Sequence, residues 1–182
     1  MLTQLRNISH LPRWCMIGWV IGLASQVNIA ITINVFASKL GALQLSPTYA
    51  SFQQNIATWT ASDVAIYYAH FGLDLVHPVI YGVALALNLA WGFRAAGVPS
   101  RYDVLLAAPL IAGLLDEVEN YAHYVAVSMY QPGSEALPDL PWWTFGVGCT
   151  AAKVKWLLAL GTIAALPILV WRARRLCSSY HH

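Results

Sequence analysis

PLIAGLLDEVENYAHY, residues 109–124, begins as sequence suited to lipid, then sets Asp116, Glu117, Glu119, Asn120 and His123 into it before the apolar pattern resumes. The fold turns on whether this helix crosses a membrane with three carboxylates and an imidazole near its middle.

Composition favours the membrane. Of 182 residues, 58% are hydrophobic and 10% charged, and the mean hydropathy is +0.56. A soluble domain of this length is far more polar, so the chain reads as an integral, multi-pass membrane protein. A helix needs about 20 residues to cross a hydrocarbon core. Four segments are that long, near 14–36, 64–93, 102–130 and 143–171. The expected fold is all-α, a four-helix transmembrane bundle in a single domain over 1–182, with a basic tail at 172–182.

Arg6 and Arg13 ahead of the apolar run 15–24 imitate a secretory signal. The run continues to Phe36, so it reads as an uncleaved first span. Arg6, Arg13, Arg94, Arg101, Arg172, Arg174 and Arg175 flank the same ends of the spans, while the other two connections hold only Lys39. Basic flanks favour the cytoplasmic side. Both termini are therefore expected there, in a cell inner membrane or an organellar membrane, with loops 37–63 and 131–141 outside.

Cys15 and Cys177 fall at the reducing face and Cys149 inside the fourth span, with no CxxC, which argues against a disulfide framework or a thiol–disulfide enzyme. The net charge of +2 comes from the flanks and tail and gives no sign of nucleic-acid binding. There is no internal repeat. In the first outer loop, Ser46-Pro47 starts a short helix over about 47–59, with Tyr49, Phe52, Ile56 and Trp59 on one side. It is expected at the outer interface, as an anchor or as a lid over a site between the spans.

In the third span Asp116, Glu119, Asn120 and His123 follow i, i+3, i+4, i+7 and share one face, with Glu117, Tyr121 and Tyr124 on a neighbouring strip. The second span does the same with Tyr67, His70, Asp74, His77 and Tyr81, and Asn88 extends the stripe. Because the two spans run in opposite directions, His77 should lie level with Asp116, Asp74 with Glu119 or Asn120, and His70 with His123. Pro78 removes the usual donor to the carbonyl of Asp74 and should kink the helix there; Pro109 should do the same at Leu105. In the fourth span Lys153 shares a face with Gly146, Cys149, Thr150 and Trp156, and Lys155 points the other way. The first span adds Gln26, Asn28, Thr32 and Asn34.

An unpaired acid near the centre of a span costs about 2.5–3.5 kcal/mol. Asp74, Asp116, Glu117 and Glu119 must therefore be paired, protonated or bound to a cation. One reading is a divalent metal site of Asp74, His77, Asp116, Glu119 and His123, with His70 in reserve; Asp-x-x-His and Glu-x-x-x-His put mixed oxygen and imidazole ligands on facing helices, a set that suits zinc, iron or manganese. A second is acid–base chemistry, with Asp74, Asp116 or Glu119 as the proton carrier. Four spans around a buried acid resemble in architecture the small membrane isomerases and cyclases that act on sterols or polyprenyl compounds. Haem between His70 and His123, or proton or ion passage, are further options.

The reading taken forward is a membrane-embedded hydrolase, isomerase or cyclase acting on a lipid or other apolar substrate. Asp74, Asp116 and Glu119 are its catalytic candidates, and His70, Tyr67, Tyr81, Glu117, Asn120 and Lys153 support the site or face the substrate. The alternative is a non-catalytic subunit or assembly factor of a membrane protein complex.

Overall fold

The computed structural model of the protein describes residues 2–8, 12–134 and 136–178. Residues 179–182 of the basic tail lie outside the described residues. Among the described residues all regular structure is helical: α1 (Leu2–Ile8), α2 (Pro12–Ile33), α3 (Ala37–Gln44), α4 (Tyr49–Ala57), α5 (Ala61–Asp74), α6 (His77–Ala95), a 3₁₀ helix (Ser100–Leu106), α7 (Ala107–Ser128) and α8 (Trp142–Ser178).

Among the described residues three helices are long and apolar enough to cross a membrane: α2 from Arg13, α6, and α8 to Cys177. α7 matches α2 in length at 22 residues but carries Asp116, Glu117 and Glu119. Among the described residues three clear candidates thus stand where four spans were expected. At 37 residues, α8 is about 55 Å long at 1.5 Å per residue. It carries Arg172, Arg174 and Arg175, so the described part of the basic tail is helical.

The segment expected as one kinked span over 64–93 is two helices, α5 and α6, joined by Leu75 and Val76. Pro78 cannot donate to the carbonyl of Asp74, and its ring crowds that carbonyl; the helix ends at Asp74 and a new one starts with Pro78 in its first turn. Asn120 of α7 supplies the missing donor, Nδ2 lying 3.3 Å from the Asp74 carbonyl oxygen. Pro109 does not kink the segment expected as the third span. It falls in the first turn of α7, where no N–H is needed, and the chain before it is 3₁₀.

The first loop carries two helices where one was expected. α4 starts later than Ser46-Pro47 suggested, because Thr48 is its N-cap: its hydroxyl accepts from the backbone N–H of Ser51 at 3.2 Å, and the Ser51 hydroxyl reaches back to the N–H of Thr48. Ser46 instead ends α3, donating to the carbonyl of Ala42 and accepting from Asn55, both at 2.9 Å. α5 opens on Thr60 and Asp63 in the same reciprocal way. Lys39 Nζ lies 2.6 Å from Asp63 Oδ2, and this bond holds the Asp63 carboxyl down to about 2.

Antiparallel neighbours follow the chain: α2 on α6, α6 on α7, α7 on α8, with α6 also against α8. Small residues set the spacing. A Cβ on Gly82 would stand 3.0 Å from the carbonyl oxygen of Pro109, and one on Gly113 would stand 2.6 Å from that of Pro78. α6 and α7 therefore cross backbone to backbone at two Pro-x-x-x-Gly segments. At the α3–α4 end, Phe36, Leu43, Phe52, Ile56 and Trp59 form an apolar cluster with Tyr67, Val127, Tyr130, Leu140 and Cys149. Tyr130 ties it together by donating to the carbonyl of Trp59 at 2.7 Å.

Candidate functional site

α2 leans on α6 through Gly18 and Gly22, whose added Cβ atoms would touch Ala84. Toward the break between α5 and α6 the helices leave a cavity of about 470 Å³. Trp19, Leu23, Ile29 and Ile33 of α2, Leu40 of α3 and Ile163 of α8 form apolar walls. Facing them are His70, Asp74, His77, Tyr81, Asp116 and Lys155.

The break places the first four. His70, at the end of α5, is 1% exposed, with Nε2 3.7 Å from Asp74 Oδ2 and no partner for Nδ1. Asp74 is the last residue of α5 and half-buried. His77 begins α6, and its Nδ1 lies 2.8 Å from the hydroxyl of Ser25 on α2. Tyr81, one turn on, donates to the carbonyl of Ala112 at 3.1 Å.

The second group sits on α7 and α8. Lys155 Nζ is bonded to Asp116 Oδ1 and lies 2.7 Å from Glu119 Oε2, all three side chains being nearly inaccessible. Glu119 Oε1 is 3.6 Å from His123 Nδ1. His123 packs against the ring of Phe52, with centroids 5.7 Å apart, and its Nε2 lies against the backbone of Gly148. Both nitrogens of His123 thus face protein.

The predicted constellation divides into two layers. His70, Asp74, His77, Tyr81 and Asp116 border the cavity. Glu119, Asn120 and His123 stand behind it, between α7 and its neighbours, all buried. Tyr67 is buried against Trp59, His70 and Phe71. Glu117 is half-buried, and Tyr121 and Tyr124 are exposed. Lys153 is exposed and donates to the carbonyl of Ser46 at 3.1 Å; Lys155 takes the inward place that the face shared with Cys149 had suggested for Lys153.

Among the described residues no group of three or more His, Cys, Asp and Glu is set to hold a metal ion. The ammonium of Lys155 takes the position between Asp116 and Glu119 that a cation would occupy. Two site residues escaped the sequence reading, Ser25 and Lys155. For Lys155 a signal exists: Gly148, Ala152, Ala159 and Thr162 mark the buried stripe of α8, and Lys155 falls on it at spacings of three and four. For Ser25 none does.

Comparison with protein-family models, with curated proteins and with solved structures finds no match.

Proposed function

We propose that the protein is a membrane-embedded enzyme that performs acid–base chemistry on a lipid or other apolar substrate held in the cavity between α2, α6 and α8. The observation that carries this reading is the make-up of the cavity. Its volume of about 470 Å³ falls within the roughly 300–1,000 Å³ of small-molecule sites, and apolar walls with a few convergent polar groups are what such sites require.

On this reading four spans cross the membrane, formed by α2, by α5 with α6, by α7 and by α8, with both termini cytoplasmic. Acids in α7 are tolerable because Asp116 and Glu119 turn to Lys155. Asp74 and His77 are the proton carriers. An imidazole held at Nδ1 by Ser25 has its orientation fixed and keeps Nε2 for the substrate. Asp116 meets the substrate with a carboxyl group that Lys155 holds in place. Glu119 fixes the lysine, and His123 supports Glu119. α3 borders the site through Leu40, Gly41 and Gln44.

The ammonium of Lys155 stands between Asp116 and Glu119, in the place a metal cation would take. Proton transfer to and from carbon gives a readout that does not depend on knowing the substrate. Purified protein in nanodiscs made with host lipid extract is incubated in deuterium oxide, and the lipids are examined by mass spectrometry. Deuterium should enter a non-exchangeable C–H position of one lipid class with the wild type and not with Asp74→Asn or His77→Gln. No incorporation into any lipid would sink the reading.

A further inference from the structure

The charges around the cavity are unequal. Asp74 and Asp116 border it, Glu119 lies directly behind, and one ammonium, that of Lys155, stands among these three carboxylates. That ammonium is bonded to Asp116 and in contact with Glu119, so it has no charge left for an incoming anion. Among the described residues Asp74 has no lysine or arginine partner; His70 Nε2 is 3.7 Å away. The imidazole of His70 lines the same space, 1% exposed, and its Nδ1 has no partner. Lys153, the nearest other lysine on α8, turns outward to the carbonyl of Ser46.

An excess of carboxylate in an apolar recess favours a positive guest, because the low dielectric strengthens the attraction and leaves a bare negative site costly. The aromatic lining points the same way. Trp19, Tyr81 and Trp156 all border the cavity, the two tryptophans partly exposed, and the faces of such rings attract cations.

We infer that the cavity binds a single-chain amphiphile whose polar end is cationic, an alkylamine by chemical class, with the charge beside Asp74 and the chain along α2. This rests on the proposed function for the cavity being a ligand site and narrows its substrate class: the bound species, or the state it passes through, carries positive charge. An anionic head group such as a carboxylate or phosphate would meet Asp74 and Asp116 with no lysine or arginine among the described residues of the lining free to pair with it.

The test compares three probes of equal chain length, dodecyldimethylamine, dodecanol and dodecanoate, on the purified protein in zwitterionic nanodiscs, with empty nanodiscs correcting for partition into lipid. The protonated amine should bind at least about tenfold tighter than the alcohol and more tightly still than the carboxylate. Asp74→Asn should weaken amine binding about tenfold and alcohol binding by clearly less, so that the amine preference shrinks. Alcohol binding without amine preference, or an amine preference that survives both Asp74→Asn and Asp116→Asn, overturns the inference and leaves the apolar cavity standing. Failure of all three probes on a folded protein overturns both.

Discussion

Gly113 of α7 lies so close to Pro78 of α6 that a methyl group on it would stand 2.6 Å from the proline carbonyl oxygen. The neighbouring atom is backbone, which cannot swing aside. Gly113→Ala should therefore force α6 and α7 apart and destabilise the protein by about 1–3 kcal/mol, the usual cost of overpacking. The same displacement should lengthen the bond from Asn120 to the carbonyl of Asp74. Thermal unfolding in nanodiscs gives the stability, and hydrogen exchange at the α5–α6 junction reports the loosening.

The pairing of Lys155 predicts a strong asymmetry between breaking it and removing it. Lys155→Met leaves Asp116 and Glu119 buried against each other without a counter-charge, at a cost of about 3–5 kcal/mol. Adding Asp116→Asn and Glu119→Gln to Lys155→Met should recover most of that loss, because a neutral set needs no cation. Equal stability of the single and triple variants would show that the ammonium is not the partner of these acids.

Gly148 and Gly161 on α8 form a matched pair of probes. A Cβ on Gly148 would stand 2.7 Å from His123 Nε2, whereas one on Gly161 meets nothing within 4 Å. Gly148→Ala should push the imidazole off Glu119 and cost about 1–3 kcal/mol. Gly161→Ala should raise stability by about 0.5–1 kcal/mol, since alanine is the better helix former. Unfolding temperatures of the two variants decide it, and a shift of the His123 ring resonances confirms the cause.

The link between Lys39 and Asp63 gives a pH dependence with a definite sign. The Asp63 carboxyl is held below its ordinary value of 3.8, at about 2. A carboxyl lowered in the folded state contributes stability that is present above about 3.8 and is lost as the pH falls toward 2. The pair is partly exposed, with the lysine side chain at 36% and the aspartate at 13%, so the contribution is modest and screened by salt. Lys39→Met should be less stable than the wild type at neutral pH, and the two stability curves should converge below pH 2. A gap that persists there would assign the effect to packing of the lysine stem.

Much of the site was legible because helix spacing places side chains before any tertiary information is needed. Asp116, Glu119 and His123 share a face by spacing alone, and the carbonyl that Pro78 frees at Asp74 was a deduction from proline chemistry. Splitting of the helix at Leu75 and Val76 was not legible, since a proline in this setting either bends a helix or ends it, and the neighbouring helix decides which. Asn120 decides it here by supplying a donor to the exposed carbonyl. The choice between Lys153 and Lys155 failed for a different reason. Cys149 lies at the edge of the buried stripe of α8, so a face drawn through it picks up Thr150 and Trp156, which are exposed; the small residues define the stripe better than the polar ones do. Ser25 could not be found from one chain at all, as its role depends on the crossing of α2 over α6.

The ion set between α7 and α8 bears on how the protein is made. Asp116 and Glu119 belong to one helix and Lys155 to the next, so each is a misfit in lipid until the other arrives. In the four-span reading neither helix is a stable tenant of the bilayer alone, and insertion machinery would have to hold α7 until α8 emerges, releasing the two as a hairpin already paired. A chain ending after α7 should be retained or degraded, and restored by α8 supplied as a separate segment with its lysine intact.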